Sequence, residues 1–291
     1  MELRVLRYFL MVAREGSITK AANLLHITQP TLSRQMIQLE EELGVSLFLR
    51  NKYRITLTDD GILLKHRAQE IIELADKTEE EFKNKNEELN GKVSIGCGET
   101  KNMSFLSQNM ANFRKKYPLV RYNIYSATAD EIKDLMEKGI LDLGLLMEPV
   151  DISRYEFIRM PHRDLWGRLV RRDSQLAQKE AVTQKDLVGV PLISAKRELV
   201  QHELANWMGD YYEKMEFAAT YNLIMNAANM VLNGVGAAFG FRLEATYENL
   251  KFLPLSPGLE TGAVLAWKKN QIFSDTVSAF IQFLRHSGQE V

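Results

Sequence analysis

The sequence predicts an α/β protein whose amino-terminal region is helical: short amphipathic helices, then one long amphipathic helix, then strands and helices in alternation. Three observations predict it. Apolar residues recur at spacings of three and four as far as Leu43, a heptad-like seam runs from Thr58 to about Asn90, and β-rich runs alternate with helical ones from Lys92 onward. At 291 residues the chain exceeds the usual single-domain size, so two or three compact units are expected, each able to bury a core.

In the first helix Leu3, Leu6, Leu10 and Ala13 form one buried stripe with Phe9 alongside, and Gly16 stops it. Ser17 can cap a second helix with apolar positions Ile18, Ala21, Ala22 and Leu25. The alanines let another helix approach closely. After a turn at His26 and Ile27, Thr28 is a good N-cap, and Pro30 falls in the first turn of a third helix, where a missing amide proton costs nothing. Leu32, Met36, Leu39 and Leu43 give this helix its buried stripe, so Gln29, Pro30, Ser33, Arg34 and Gln38 point away from the core.

That outward face, read from "HITQPTLSRQ", carries long hydrogen-bonding side chains and no acid until Glu40. Two short helices joined by a tight turn, the second presenting its start outward, form a helix-turn-helix. Gln can bond adenine edges, Arg guanine or phosphate, and Ser either, whereas carboxylates would be repelled by phosphates. The same stretch also fits a capped surface helix in any bundle. Downstream, "GVSLFLRNKYRITLTDDG" begins with a helix-ending Gly44 and holds Arg50, Lys52 and Arg54, which suit a small wing laid along a phosphate backbone or a solvated hairpin. Net charge over the whole chain is −1, so any basic footprint is local. Residues 1–58 hold eight Lys and Arg against five Glu, and residues 59–89 hold five against ten acids.

The long helix, ~45 Å at 1.5 Å per residue, carries Gly61, Leu64, Ala68, Ile71, Ala75, Thr78, Phe82 and Leu89 in alternating steps of three and four, with Lys85 interrupting. A dimerisation strut explains it, with Leu64, Ala68, Ile71, Ala75 and Phe82 at the seam; intrachain packing is the alternative.

The first 61 residues, notably "LRYFLMVAREGSITKAANLLHITQPTLSRQMIQLEEELGVSLFLR" and "LTDDG", resemble the DNA-binding domain of the LysR-type transcriptional regulators, without gaps. The resemblance implies a winged helix-turn-helix (1–58), a linker and dimerisation helix (59–90), and an effector-binding domain (91–291) whose two α/β lobes resemble periplasmic solute-binding proteins. Lobe one would be 91–162 with 262–291, and lobe two 163–261. Carried over by position, Thr28, Gln29, Pro30, Thr31, Ser33, Arg34 and Gln38 fall at the DNA face, Arg50, Lys52 and Arg54 at the wing, and Leu57, Thr58 and Gly61 at the linker junction. Tyr53 departs from the pattern, standing where an arginine is common, with Lys52 or Arg54 available to replace its phosphate contact. The implied partners are double-stranded promoter DNA with dyad symmetry, a small-molecule effector, and further copies of the chain as a homodimer or homotetramer, with RNA polymerase a candidate. No cofactor or metal is implied.

The remaining chain reads as βαβ units: strands at "KVSIGCG", "VRYNIYSA", "LDLGLLM", "VPLIS", "GAAFG" and "TGAVLAWKK", and helices from Met103, Ala129, Glu198, Asn222 and Phe273. Ligands in such sheets lie beyond the strand carboxyl ends, where helix N-termini offer amide donors. Candidate effector residues are therefore Thr100, Lys101, Asn102, Met103 and Ser104, then Thr128, then Ser194, Lys196 and Arg197, then Asn222, the loops that line the family's cleft. Lys101, Lys196 and Arg197 suit a small anion, or are ordinary surface residues.

Enzyme motifs are missing. "GVGAAFG" is one residue too long for a dinucleotide fingerprint and follows a helix, there is no GxxxxGK, HExxH or GxSxG, and the five histidines lack ligand spacing. The single cysteine, Cys97, excludes an internal disulfide and suits a reducing, cytoplasmic setting; it is expected as a small buried residue, with redox sensing as the minor alternative. No run of ~18 apolar residues or signal core occurs. The rival class is a small-molecule-binding module or a solute-responsive enzyme whose helical start only mediates assembly.

Overall fold

The structure, a computed structural model, describes residues 1–50, 55–83, 89–242 and 247–287. The chain forms two compact units, Met1–Lys85 and Asn86–Val291.

The first unit contains α1 (Leu3–Glu15), α2 (Ile18–Leu24), α3 (Gln29–Leu43), β1 (Phe48–Arg50), β2 (Ile55–Leu57) and α4 (Asp59–Lys83). Gly16 and Gly44 end α1 and α3 in the left-handed region, which glycine enters without a Cβ penalty. Leu6, Phe9, Val12, Ala21, Ala22, Leu32, Met36 and Leu39 share one core with Leu47 and Phe48, closed by Ala68 and Ile72 of α4. The stripe on α1 is therefore Leu6, Phe9 and Val12. Leu3 is exposed and Leu10 and Ala13 are half-buried, because α4 packs along α1 and shifts the centre of burial. Leu43 is also exposed, in the last turn of α3, where Gly44 redirects the chain.

Thr58 fixes the start of α4. Its hydroxyl donates to the Ser46 carbonyl at 2.7 Å and accepts the Gly61 amide at 3.0 Å. A Cβ at Gly61 would lie 2.2 Å from the Leu47 carbonyl oxygen, so only glycine permits this approach. The expected seam on α4 needs correction. Ala68 is fully buried in the unit's own core and so is not available to a partner helix, and Leu64 is half-buried against that core.

The second unit holds two sheets. Lobe one has the order β4-β3-β5-β13-β6, from β3 (Gly91–Cys97), β4 (Val120–Ser126), β5 (Leu143–Met147), β6 (Tyr155–Arg159) and β13 (Ala263–Lys268). Lobe two has the order β11-β7-β10-β8-β9, from β7 (Asp164–Arg171), β8 (Pro191–Ala195), β9 (Glu216–Tyr221), β10 (Ala237–Phe241) and β11 (Leu250–Pro254), with β12 (Glu260–Thr261) paired to β7. The chain thus crosses between lobes twice, after β6 and before β13. The expected parallel pairing holds for β3 with β4 and β5, and for β8 with β9 and β10, whereas β13 and β7 run antiparallel to their neighbours.

Helices cover both faces of each sheet. Against lobe one pack α5 (Asn102–Lys116) and α9 (Asp275–Ser287) on one side and α6 (Ala129–Glu137) on the other. Lobe two lies between α7 (Glu198–Met208) and α8 (Ile224–Leu232). Arg168 of β7 is fully buried in that lobe: it lies 3.8 Å over the Phe239 ring and donates to the Ala237 carbonyl, and its Nε and Nη1 have no partner. Burial holds its guanidinium down at about 9. Among the described residues no helix is long and apolar enough to cross a membrane.

Candidate functional site

In the first unit, helix capping aims the start of α3 outward. The Thr28 hydroxyl accepts the Thr31 amide at 3.4 Å and bonds the Thr31 hydroxyl at 2.8 Å, with Pro30 in the first turn. Thr28, Gln29, Pro30, Thr31, Arg34 and Gln38 are exposed together and Ser33 is half-buried. The caps explain the geometry, since anchored Leu32, Met36 and Leu39 fix the opposite face. Thr28 is partly committed to its cap. Arg50 ends β1; Lys52, Arg54 and Tyr53 lie outside the described residues.

In the second unit a cleft of about 760 Å³, its open mouth included, lies between the two lobes. Of the sequence-predicted residues, Thr128, Lys196, Arg197 and Asn222 line it. The other six do not. Thr100 and Asn102 are buried at the crossover between lobes: the Thr100 hydroxyl donates to Asp164, the Lys101 amide donates to the same carboxylate at 3.0 Å, and Asn102 donates to the His162 carbonyl at 2.8 Å. Met103 packs 3.6 Å from the Cys97 sulfur, Ser104 is on the outer face of α5, and Ser194 is buried within the sheet of lobe two. The first loop therefore anchors the crossover.

Two features of the cleft redirect its chemistry. Arg197, 7% exposed in its side chain, reaches from lobe two to lobe one, donating to Asp130 at 3.2 Å and to the Met147 and Pro149 carbonyls at 3.2 and 2.8 Å. Its three guanidinium nitrogens are occupied. The N-cap of α8 is Leu223, not Asn222, and offers no side-chain cap; the first amide of that helix, at Ile224, donates instead to the Glu99 carboxylate of lobe one at 2.5 Å. A Cβ at Gly240 would lie 2.7 Å from the Ile224 side chain, so glycine lets α8 begin close against β10. Burial raises the Glu99 carboxyl above the usual range, and the Ile224 amide opposes that.

Glu99, Met147, Glu148, Trp166, Tyr221 and Phe241 also line the cleft and were not predicted from sequence. Trp166 packs tilted against Phe241, ring centroids 4.3 Å apart, and donates its ring N–H to Thr261 at 2.8 Å, and the Tyr221 hydroxyl donates to the Phe239 carbonyl at 2.6 Å. Only strand pairing brings them together; Glu99 alone carried a clue, being next to the predicted loop. Cys97 is buried, its thiol donating to the Gly98 carbonyl at 2.8 Å, and burial followed by the Glu99 charge pushes it up to about 12. A thiol so held stays protonated.

The family comparisons agree with this geometry. Residues 3–62 match the bacterial regulatory helix-turn-helix protein, lysR family, and residues 86–289 match the LysR substrate binding domain. The chain belongs to the LysR family. It is thus a DNA-binding transcriptional regulator with an effector-type domain, and the family is one of regulators, not enzymes. Among curated relatives of this LysR-type regulator, YbhD of Escherichia coli (strain K12), an HTH-type transcriptional regulator, is 28% identical over 292 residues, spanning 97% of this chain and 90% of its own length. AlsR of Bacillus subtilis (strain 168), another HTH-type transcriptional regulator, is 29% identical over 274 residues, 88% of each chain. Crystalline CbnR, a LysR family transcriptional regulator, shares the fold at a TM-score of 0.79 with 20% identity over 99% of both chains.

Proposed function

We propose that this regulator reads promoter DNA through the exposed start of α3, assisted by the Arg50 to Arg54 segment, and that a small molecule held between the two lobes controls DNA binding or promoter output. The observation that carries the reading is the junction of two features in one chain: an acid-free helical face aimed outward and a cleft between two α/β lobes. A full-length CbnR structure with its target DNA, TM-score 0.73, supports the first half by analogy. In this reading residues 1–58 bind DNA, 59–90 link and pair subunits, and 91–291 sense the effector, with the lobes at 91–162 with 262–291 and at 163–261. Two α3 helices, held at fixed spacing in a homodimer or a homotetramer, would meet a dyad-symmetric site, in the cytoplasm, with RNA polymerase as a further partner.

A small anion, which the loop cations suggest, loses two supports: Arg197 is engaged and Lys101 sits at the crossover. The redox alternative through Cys97 is disfavoured by its protonated, buried thiol. Selection of genomic fragments by the full-length protein at about 100–150 mM salt tests the reading, because base readout then outweighs phosphate attraction. A few enriched upstream regions sharing a dyad are expected; retention of all sequences alike would overturn it.

A further inference from the structure

Two positions in the cleft that would attract an anion are filled by the protein itself. Helix N-termini are natural anion sites, but the first amide of α8 already serves Glu99 at 2.5 Å. Arg197 is spent on Asp130 and two carbonyls. Lys196, the other cation of the lining, is exposed at the mouth. Among the described residues, what remains of the lining is mainly acidic and apolar. Glu99 and Glu148 line the interior, Glu148 held by Arg159 at 3.2 Å, while Met147, Trp166, Ile224 and Phe241 supply hydrophobic surface.

We propose that the effector presents a protonated amine to Glu99, with an apolar body packed against Trp166, Phe241, Met147 and Ile224. The proposal rests on the reading of the cleft as the effector site. One Glu99 oxygen accepts from Ile224, and a half-buried carboxylate answered by a single neutral amide gains most from a charged donor. Burial raises Glu99, opposed only by that amide, in keeping with a site that lacks its countercharge. A ligand carboxylate would instead have to displace Glu99 from α8 or lie beside it, which like charges disfavour.

The test uses the full-length protein and probes of one shape and three charges: benzylamine, benzyl alcohol and benzoate, with cyclohexylmethylamine, its alcohol and its acid as a second set. Binding is followed by calorimetry and ligand-observed NMR near neutral pH. Expected is binding of the amines by the wild type in preference to the acids. Glu99→Gln, which keeps the acceptor for Ile224, should weaken the amines about tenfold or more and the alcohols less than about twofold. Ala195→Phe, which fills the cleft from β8, should abolish both. Thermal unfolding of each variant establishes that it is folded. Acids bound more tightly than amines and lost in Ala195→Phe would overturn the amine while leaving the cleft reading intact. No amine bound by the wild type, or equal binding to wild type and Glu99→Gln, likewise overturns the amine. Binding that survives Ala195→Phe overturns the cleft reading as well.

Discussion

Arg168 is a fully buried cation answered by an aromatic face and one carbonyl, and the desolvation of its guanidinium outweighs what those contacts return. Arg168→Met removes the charge while keeping an unbranched apolar stem, and should raise stability by about 1–3 kcal/mol in urea unfolding near neutral pH. The sign follows from the lowered value. The fold prefers the neutral form, so the penalty is complete below about 9 and fades as pH rises through it towards the ordinary value of 12.5. Wild type should therefore gain on Arg168→Met above that point; a constant gap would contradict the assignment. Cys97 makes the opposite kind of prediction: native protein should resist alkylation by iodoacetamide at neutral pH, and Cys97→Ala should leave DNA binding and effector response unchanged. Rapid labelling of the folded chain would count against a structural role. Burial of Cys97 was legible from its place in an apolar run. The role of Glu99 was not, because its partner is 125 residues away and on the other lobe.

At the scale of elements, the short 3-10 turn Gln184–Leu187 is closed by a capping box in which Asp186 accepts the Thr183 amide at 3.0 Å and Lys179 at 2.8 Å. The Lys179 ammonium, then Thr183, hold that carboxyl down at about 2. Its stabilisation is present above the ordinary value of 3.8 and is lost as pH falls through about 2. Asp186→Asn should cost about 1 kcal/mol at neutral pH and almost nothing near the bottom of that range, as chemical denaturation at the two pH values would show. On α4, with Ala68 buried, Ile71 and Leu74 are among the exposed apolar residues and lie one turn apart on one side. If this side pairs subunits, Leu74→Glu should shift sedimentation towards a monomer with helix content intact, whereas an unchanged oligomer would place the interface elsewhere. Helices were legible because caps such as Ser17 and Thr28 and glycines at 16 and 44 mark their ends locally. Strands β6, β7, β9 and β11 escaped. Glu156, Arg159, Arg168 and Arg171 interrupt their apolar pattern, and β9 at a sheet edge is mostly exposed, so their strand character depends on neighbours distant in sequence.

For the whole molecule, the concentration of positive charge in residues 1–58 against a net of −1 overall confines phosphate attraction to one end of the chain. Gln29→Ala should therefore relax base preference at one position, by about 1–3 kcal/mol, with little change in the salt dependence of binding; a steeper or shallower salt slope would assign Gln29 to the backbone instead. The division into a helical unit and an α/β unit could be read from periodicity, but the weaving of two sheets by one chain could not, since no local pattern announces that β13 belongs with β5 and β6.

That weaving sets the order in which the protein can be completed on the ribosome. Strands β3 to β6 of lobe one emerge early, yet the strand that separates β5 from β6 is made only after all of lobe two. Until residues 263–268 leave the exit tunnel, β5 and β6 each present an unpaired edge, while lobe two already has every strand it needs. A nascent chain that has emerged only as far as Gly262 would thus carry one finished lobe and one open one, and chaperones would find their target in the half of the domain that was synthesised first.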